Sequence, residues 1–325
     1  LVTTNADLII SADLLLRNFV RTKTKYMRVF LTGATGFIGS AIVQELIGAG
    51  HQVLGLARSD AGASALIAAG AEVHRGDLED LDSIRSGAAD VDGVIHTAFN
   101  HDFSKFKANA ESDRRVIEAL GAVLAGSERP LIVTSGIGLL KSTGRPATEE
   151  DKPSAGPNPR IASEEAADVV AATGVRVAVV RLPPSVHGEG DYAFVPMLIG
   201  IAREKGVSVY KGEGQNLWPA VHRLDAARLF RLALEKAAPP GTRFHGIAEE
   251  GISFREIAEA IGKGLNIPVI SKSPEDAAEH FGWFAHFAAM DIAASAKQTQ
   301  ETLGWTPEQP GLIADLNGNS YFRQV

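Results

Sequence analysis

The stretch Thr32-Gly33-Ala34-Thr35-Gly36-Phe37-Ile38-Gly39 constrains this chain more than any other. Met27-Arg28-Val29-Phe30-Leu31 leads into it as a short apolar run, the pattern of a parallel strand buried on both faces. Beyond it, Ile38, Ile42, Val43, Leu46 and Ile47 recur at helical spacing, so residues 40–50 read as a helix that Gly48 and Gly50 stop. Strand, glycine turn and helix together make a phosphate cradle. Glycine permits the tight turn and the close approach of backbone, and the free N–H groups of the first helical turn point at an anion. Spaced glycines are common by chance in a chain with 33 of them; the strand before and the helix after single this set out.

The pattern continues. His51-Gln52-Val53-Leu54-Gly55-Leu56-Ala57 reads as a second strand, an Ala-rich helix follows near residues 64–69, and Glu72-Val73-His74-Arg75 opens a third strand. Gly93-Val94-Ile95-His96-Thr97-Ala98-Phe99 is the fourth strand and its exit, residues 108–120 a helix, and Pro130-Leu131-Ile132-Val133-Thr134-Ser135-Gly136 the fifth strand and its tip. Strands alternating with helices at this spacing predict a doubly wound parallel sheet. The second strand ends Ala57-Arg58-Ser59, with Asp60 next. A guanidinium beside a small hydroxyl suits the 2′-phosphate of NADP, whereas an acid at the tip would select the ribose of NAD. The opposing reading leaves Arg58 solvated and gives the ribose to Asp60.

The glycine spacing and the later motifs resemble the extended short-chain dehydrogenase/reductase family, including its NAD-dependent epimerase/dehydratase-like members. Val175-Arg176-Val177-Ala178-Val179-Val180-Arg181-Leu182-Pro183-Pro184-Ser185-Val186-His187-Gly188-Glu189-Gly190-Asp191 is similar to that family's sixth strand and its "R-P-x-x-V-Y-G-P-G-D" segment, with His187 at the tyrosine. Trp218-Pro219-Ala220-Val221-His222-Arg223-Leu224-Asp225 is similar to "F-V-H-V-D-D", and Ser253 with Glu256 reads as the capping box of an amphipathic helix. The resemblance runs from Met27 to about residue 269. It implies a Rossmann α/β fold with a smaller C-terminal substrate-binding lobe. Residues 27–180 would form the NAD(P)-binding domain, and residues 181–325 mainly the lobe, with strands returning to the sheet. It also implies a cofactor site of Gly33, Thr35, Gly36, Phe37, Ile38 and Gly39, then Arg58 and Ser59, Asp77 and Leu78, Thr97 and Ala98, Thr134 and Pro183. Asp77 has two readings, an acceptor for the adenine amino group or an ordinary helix N-cap.

The resemblance fails where catalysis is expected. The family places a hydroxyl at the fifth strand tip and a Y-x-x-x-K helix after it, whose lysine lowers the tyrosine pKa. Thr134 and Ser135 supply hydroxyls, and Gly136 replaces a third. Aligned on Ile161-Ala162-Ser163-Glu164-Glu165-Ala166, the tyrosine position is Arg160 and the lysine position Glu164. Tyr26, Tyr192, Tyr210 and Tyr321 all lack a lysine four residues on. Arginine is a poor general acid and glutamate cannot act as a cation; as an i,i+4 pair the two are expected to meet on the helix surface. Ser135, His187, Tyr192, His101 and Lys105 are then the groups for the nicotinamide end, with Ser135 to polarise a substrate oxygen and a water or His187 to supply the proton. His96 is expected to be a packed strand-end histidine.

Composition closes other routes. The net charge of −7 and the lack of a basic run interleaved with aromatics argue against nucleic acid as partner. Zero cysteines exclude disulfides and thiolate metal sites and fit a reducing, cytoplasmic setting; no His/Asp/Glu cluster has metal-ligand spacing. Residues 1–26 read as an N-terminal extension, a leader, tag or disordered segment, or else a targeting helix. Their apolar run, Leu8 to Val20, is too short and too charged for a membrane span. The expected activity is that of an NADP-preferring oxidoreductase (NAD possible) acting on a small carbonyl or alcohol. The alternatives are a nucleotide-sugar epimerase or dehydratase, and a non-catalytic NADP-binding sensor. Homodimerisation is an implication of the resemblance.

Overall fold

The computed structural model describes residues 26–141, 143–153, 158–236, 238–318 and 320–322. The extension expected over residues 1–26 therefore lies, but for Tyr26, outside the described residues. Apolar strands and amphipathic helices alternate through the first half. They run β1 (Arg28–Thr32), α1 (Phe37–Gly48), β2 (Gln52–Ala57), α2 (Asp60–Ala68), β3 (Glu72–Arg75), α3 (Leu81–Ala89) and β4 (Gly93–His96). Then come α4 (Phe106–Leu124), β5 (Leu131–Gly136), α5 (Ile161–Ala172) and β6 (Val177–Leu182). These strands, joined by β10 (Thr242–His245), make one seven-stranded sheet in the order β10-β6-β5-β4-β1-β2-β3, every pairing parallel. This is the doubly wound Rossmann sheet that the sequence pattern implied. Its order reverses between β1 and β4, which is where open α/β sheets bind ligands.

Both faces are covered by helices, and each cover is an apolar core: α1 and α7 (Arg223–Glu235) on one side, α3, α4 and α5 on the other. Such double burial is why β5 and β6 carry almost unbroken runs of Val, Ile and Leu. The chain leaves the sheet after β6 and forms β7 (Ser185–His187), α6 (Phe194–Lys205), β8 (Ser208–Lys211) and β9 (Leu217–His222). After α7 and β10 it returns to the lobe with β11 (Glu249–Ser253), α8 (Phe254–Leu265), β12 (Val269–Lys272) and α9 (Pro274–Phe281). Small sheets β11-β9-β7 and β12-β8 frame a third core around Trp218, Phe254 and Phe284. The capping box of Ser253 and Glu256 closes both ways at the start of α8. The last helices are α10 (Ala285–Ala288), α11 (Lys297–Leu303) and α12 (Leu312–Asn317). They tie the lobe back to the sheet, where the Asp225 carboxylate on α7 accepts from the backbone N–H groups of Glu308 and Gln309.

Candidate functional site

At the tip of β1 the turn is made of main-chain atoms in contact. Gly33 has φ of +72°, and a Cβ there would lie 2.7 Å from both the Ala98 nitrogen and the Thr97 hydroxyl. A Cβ on Gly39 would lie 2.0 Å from the Gly33 carbonyl oxygen. Both positions therefore exclude side chains. Helix α1 begins at Phe37, three residues before the start that spacing predicted, because its N-cap is Gly36 and carries no side-chain signal. With no side chain capping it, the N–H groups of Phe37, Ile38 and Gly39 are left to an anion. Thr35 is exposed beside the tip of β2.

At that tip, Ser59 caps α2 by accepting from the Gly62 N–H at 3.1 Å. Asp60 turns away to Arg75, 2.9 Å from its guanidinium, while Arg58 is exposed and makes no bond among the described residues. Asp77 does not cap α3; Asp80 does, accepting from the N–H groups of Asp82 and Ser83. The Asp77 carboxylate instead accepts from the Glu79 N–H in a local turn, and Leu78 packs against the core of α3 and α4. Thr97 donates its hydroxyl to the Thr32 carbonyl, which brings the β4 exit against the back of the glycine turn. Pro183 is buried between β6 and β7.

The tip of β5 is made of charged side chains. Arg160 and Glu164 do not meet on the surface of α5 as expected, because each finds a buried partner elsewhere. The Glu164 carboxylate, 2 % exposed, takes Arg181 of β6 in a fork, Nε to Oε1 and Nη2 to Oε2, both at 2.8 Å. Ser135 adds its hydroxyl at 2.8 Å, and Arg243 lies 3.5 Å away. Burial pushes the Glu164 carboxyl up, yet the bonds and charge of Arg181 outweigh it and the pKa falls below its ordinary value. Because Ser135 spends its proton on Glu164, its hydroxyl does not polarise a substrate oxygen in this arrangement.

Arg160 belongs to a second chain of contacts. Its guanidinium donates to Asp113 of α4 at 2.6 Å, to the Ser163 hydroxyl and to the Thr134 carbonyl at 3.0 Å. Asp113, 5 % exposed, also meets His96 Nε2 at 2.9 Å, and His96 Nδ1 lies 2.6 Å from the Thr32 hydroxyl. Burial raises the Asp113 carboxyl, and the charges of Arg160 and His96 then hold it well below the usual carboxylate range. Arg160 lies 4.0 Å over the Phe99 ring; its Nε–H and one Nη2–H have no partner among the described residues. Phe99 starts an aromatic rim that crosses to the lobe, with His101 edge-on to Phe99 and Phe103 against Phe194, Trp283 and Phe287. Burial and Arg160 lower the His101 pKa. Thr134 donates its hydroxyl to the His96 carbonyl.

His187 is not a proton donor at an open face. It is 0 % exposed, its Nδ1 is 2.9 Å from Asp315 of α12, and its Nε2 is buried with no partner among the described residues. Asp113 and Arg181 were missed by sequence reasoning, although both left a signal: an aspartate on the apolar stripe Ala110-Asp113-Val116-Ile117-Leu120, and an arginine inside Val177-Ala178-Val179-Val180-Arg181-Leu182. Among the described residues no group of His, Asp and Glu could hold a metal ion.

Residues 29–245 match the model of the NAD dependent epimerase/dehydratase family. The chain belongs to that family. Its nicotinamide dinucleotide fits the cradle, whose Gly33 and Gly39 leave no space for a Cβ and whose helix opens with free N–H groups. The uncharacterized protein C2A9.02 of Schizosaccharomyces pombe is 53 % identical over 296 residues, covering 91 % of this chain and all of the relative. The 2-alkyl-3-oxoalkanoate reductase of Stenotrophomonas maltophilia is 28 % identical over 273 residues, 76 % of this chain and 78 % of the relative. Among solved structures, MoeE5 in complex with UDP-glucose and NAD superimposes with a TM-score of 0.70 at 20 % identity, over 91 % of this chain and 98 % of that one.

Proposed function

We propose that this protein is an NADP-preferring oxidoreductase that reduces, or reversibly oxidises, a small apolar or aromatic carbonyl compound, with Arg160 in place of the family's tyrosine as the group that holds the substrate oxygen. The observation carrying this is the Arg160 guanidinium beside the β5 tip, fixed by Asp113 and the Thr134 carbonyl, with two N–H groups unspent. Held by the turn of Gly33, Gly36 and Gly39, a reduced nicotinamide dinucleotide would supply the hydride for the carbonyl carbon. Negative charge then gathers on the substrate oxygen, and the spare N–H groups of Arg160 stabilise it, as oriented donors do in a water-poor site. With a pKa above about 12 the guanidinium keeps its own protons, so the proton that completes the alcohol comes from water. His187 fills the tyrosine's place as a structural residue paired with Asp315. The aromatic rim from Phe99 to Trp283 favours an apolar carbonyl over a nucleotide sugar. The reductase relative acts, by its name, on an alkyl oxoalkanoate.

The preference for NADP rests on Arg58, which has no partner among the described residues at the β2 tip, while Asp60 is held by Arg75. Arg58→Asp is expected to turn the ratio of kcat/KM for NADPH over NADH toward NADH by tenfold or so; an unchanged ratio gives the ribose to Asp60. The cysteine-free composition supports a cytoplasmic setting, and among the described residues no helix is long and apolar enough to cross a membrane. A panel of aromatic and aliphatic aldehydes and ketones, assayed by NADPH oxidation, tests the activity. Arg160→Met is expected to lower kcat/KM by about 10²–10³ while leaving NADPH affinity in place, with Arg160→Lys between the two. Full activity in Arg160→Met would remove Arg160 from the reaction. NADPH binding without turnover on any carbonyl would favour the sensor, and conversion of a nucleotide sugar the epimerase.

A further inference from the structure

We propose that Tyr192 and Arg223, both carried by the smaller lobe, clasp the diphosphate of the dinucleotide against the glycine turn, so that the cofactor is held by the two halves of the molecule together. The inference rests on the family's nicotinamide cofactor and not on the role given to Arg160.

The glycine turn itself has no cation. Residues 32–39 contain neither Lys nor Arg, so its attraction for a diphosphate comes only from backbone N–H groups and the helix dipole. Two lobe side chains converge on that end of α1. The Tyr192 ring stands edge-on to Phe37 with centroids 6.1 Å apart, and its hydroxyl lies 4.0 Å from where a Cβ on Gly36 would sit. Arg223, first residue of α7, places its guanidinium carbon 5.0 Å over the Phe37 ring. Phe37 is the residue whose N–H opens the cradle, so a phenol and a guanidinium both flank the place where the phosphates belong.

Each side chain keeps donors to spare. Tyr192 is 67 % exposed and its hydroxyl makes no hydrogen bond among the described residues. Arg223 donates one N–H, from Nη1, to the Glu189 carbonyl at 2.6 Å, and forms no ion pair among the described residues. An exposed aromatic ring on an unanchored loop would be unremarkable, but this loop is anchored. Gly188 and Gly190 have φ of +134° and +83°, and a Cβ on Gly188 would lie 2.8 Å from His222 Nε2. Asp191 accepts from the Ala193 N–H at 2.7 Å and from the Tyr321 hydroxyl at 3.0 Å, and the Gly188 N–H donates to the same hydroxyl at 3.0 Å. The turn that carries Tyr192 is thus fixed by the end of the chain, and its bond to Arg223 joins the two members of the clasp.

The test is direct binding, with no turnover needed. Dissociation constants for NADPH, NADH, ADP and adenosine are measured by calorimetry for the wild type, Tyr192→Phe and Arg223→Met. Tyr192→Phe is expected to weaken both dinucleotides and ADP by about two- to tenfold, as for one neutral hydrogen bond. Arg223→Met is expected to weaken them by about ten- to a hundredfold, and to flatten the salt dependence of binding. Adenosine, which has no phosphate, should bind all three proteins alike. Unchanged constants for the phosphate-bearing ligands overturn the clasp. So does tighter binding in Tyr192→Phe, which would make the tyrosine a plug over the cradle. Failure of the wild type to bind any dinucleotide would remove the cofactor itself. Both side chains are surface groups, so melting temperatures near the wild-type value confirm that binding alone is read.

Discussion

At the tip of β1 the chain is held by atoms that every residue possesses: the Gly33 carbonyl lies against the α carbon of Gly39, and the Ala98 nitrogen against Gly33. At the tip of β5, two strands away in the same sheet, the same task falls to side chains from α4, from α5 with its N-cap, and from β6. Asp113 with Arg160, and Glu164 with Arg181, are joined there by charge-assisted hydrogen bonds, and Arg160 also donates to the Thr134 carbonyl. The first tip tolerates no added atom, because what it needs is proximity. The second is weakened by a removed partner, because a buried charge left alone costs up to several kcal/mol. A family can therefore keep the first unchanged while the second is rebuilt with different charges, provided the charges change together. Glu164 and Arg181 are one such interlocked pair.

The largest expected effect breaks that pairing. The double change Arg160→Tyr with Glu164→Lys places a Tyr-x-x-x-Lys pair at residues 160–164, yet it sets a buried lysine beside Arg181 and Arg243. It should cost more than about 3–5 kcal/mol, read as loss of soluble protein or a collapsed urea midpoint. Glu164→Met with Arg181→Met, which removes both charges, should stay near wild type; a comparable loss there would mean that volume, not charge, holds the tip. On the other side of the comparison, Gly39→Ala drives a methyl into the Gly33 carbonyl. About 1–3 kcal/mol of stability should go, visible as a lower melting temperature, and dinucleotide affinity with it. Wild-type affinity would show that the turn can open.

The smallest effect is a matter of pH. The Asp113 and Glu164 carboxyls are held below their ordinary values in the folded protein. The stability they contribute is complete above the unfolded value of about 4 and drains away as pH falls through the folded ones. Asp191 has the opposite sign: burial, with Asp315 nearby, raises it to about 6, so its contribution is present at low pH and is lost as pH rises through 6. Urea unfolding from pH 3 to 8 should therefore weaken steeply on the acid side. Asp113→Asn should flatten that limb; an unaltered limb would assign acid sensitivity to other carboxylates.

The same contrast explains how much could be read from the sequence. The cradle was legible because its requirement is local: three glycines at fixed spacing between a strand and a helix. The capping box of Ser253 and Glu256 was legible for the same reason. The start of α1 was placed three residues late, since a glycine N-cap has no side chain to announce it, and α3 is capped by Asp80 where Asp77 was a candidate. The β5 tip was not legible. Arg160 finds its partner 47 residues away and Glu164 finds its own 17 away, and helical spacing within α5 carries no trace of either. His187 looked available as an acid until Asp315, 128 residues on, closed over it.

The aromatic rim has a practical consequence. Trp218 and Trp305 are 0 % exposed, whereas Trp283, packed on Phe103 at the rim, is 61 % exposed. Of the three tryptophans, a water-borne quencher reaches Trp283 alone. Reduced nicotinamide absorbs where tryptophan emits, so the molecule carries its own optical gauge: quenching at the rim reports what enters the mouth, and energy transfer reports what lies in the cradle. The two can be followed separately in one cuvette without a label.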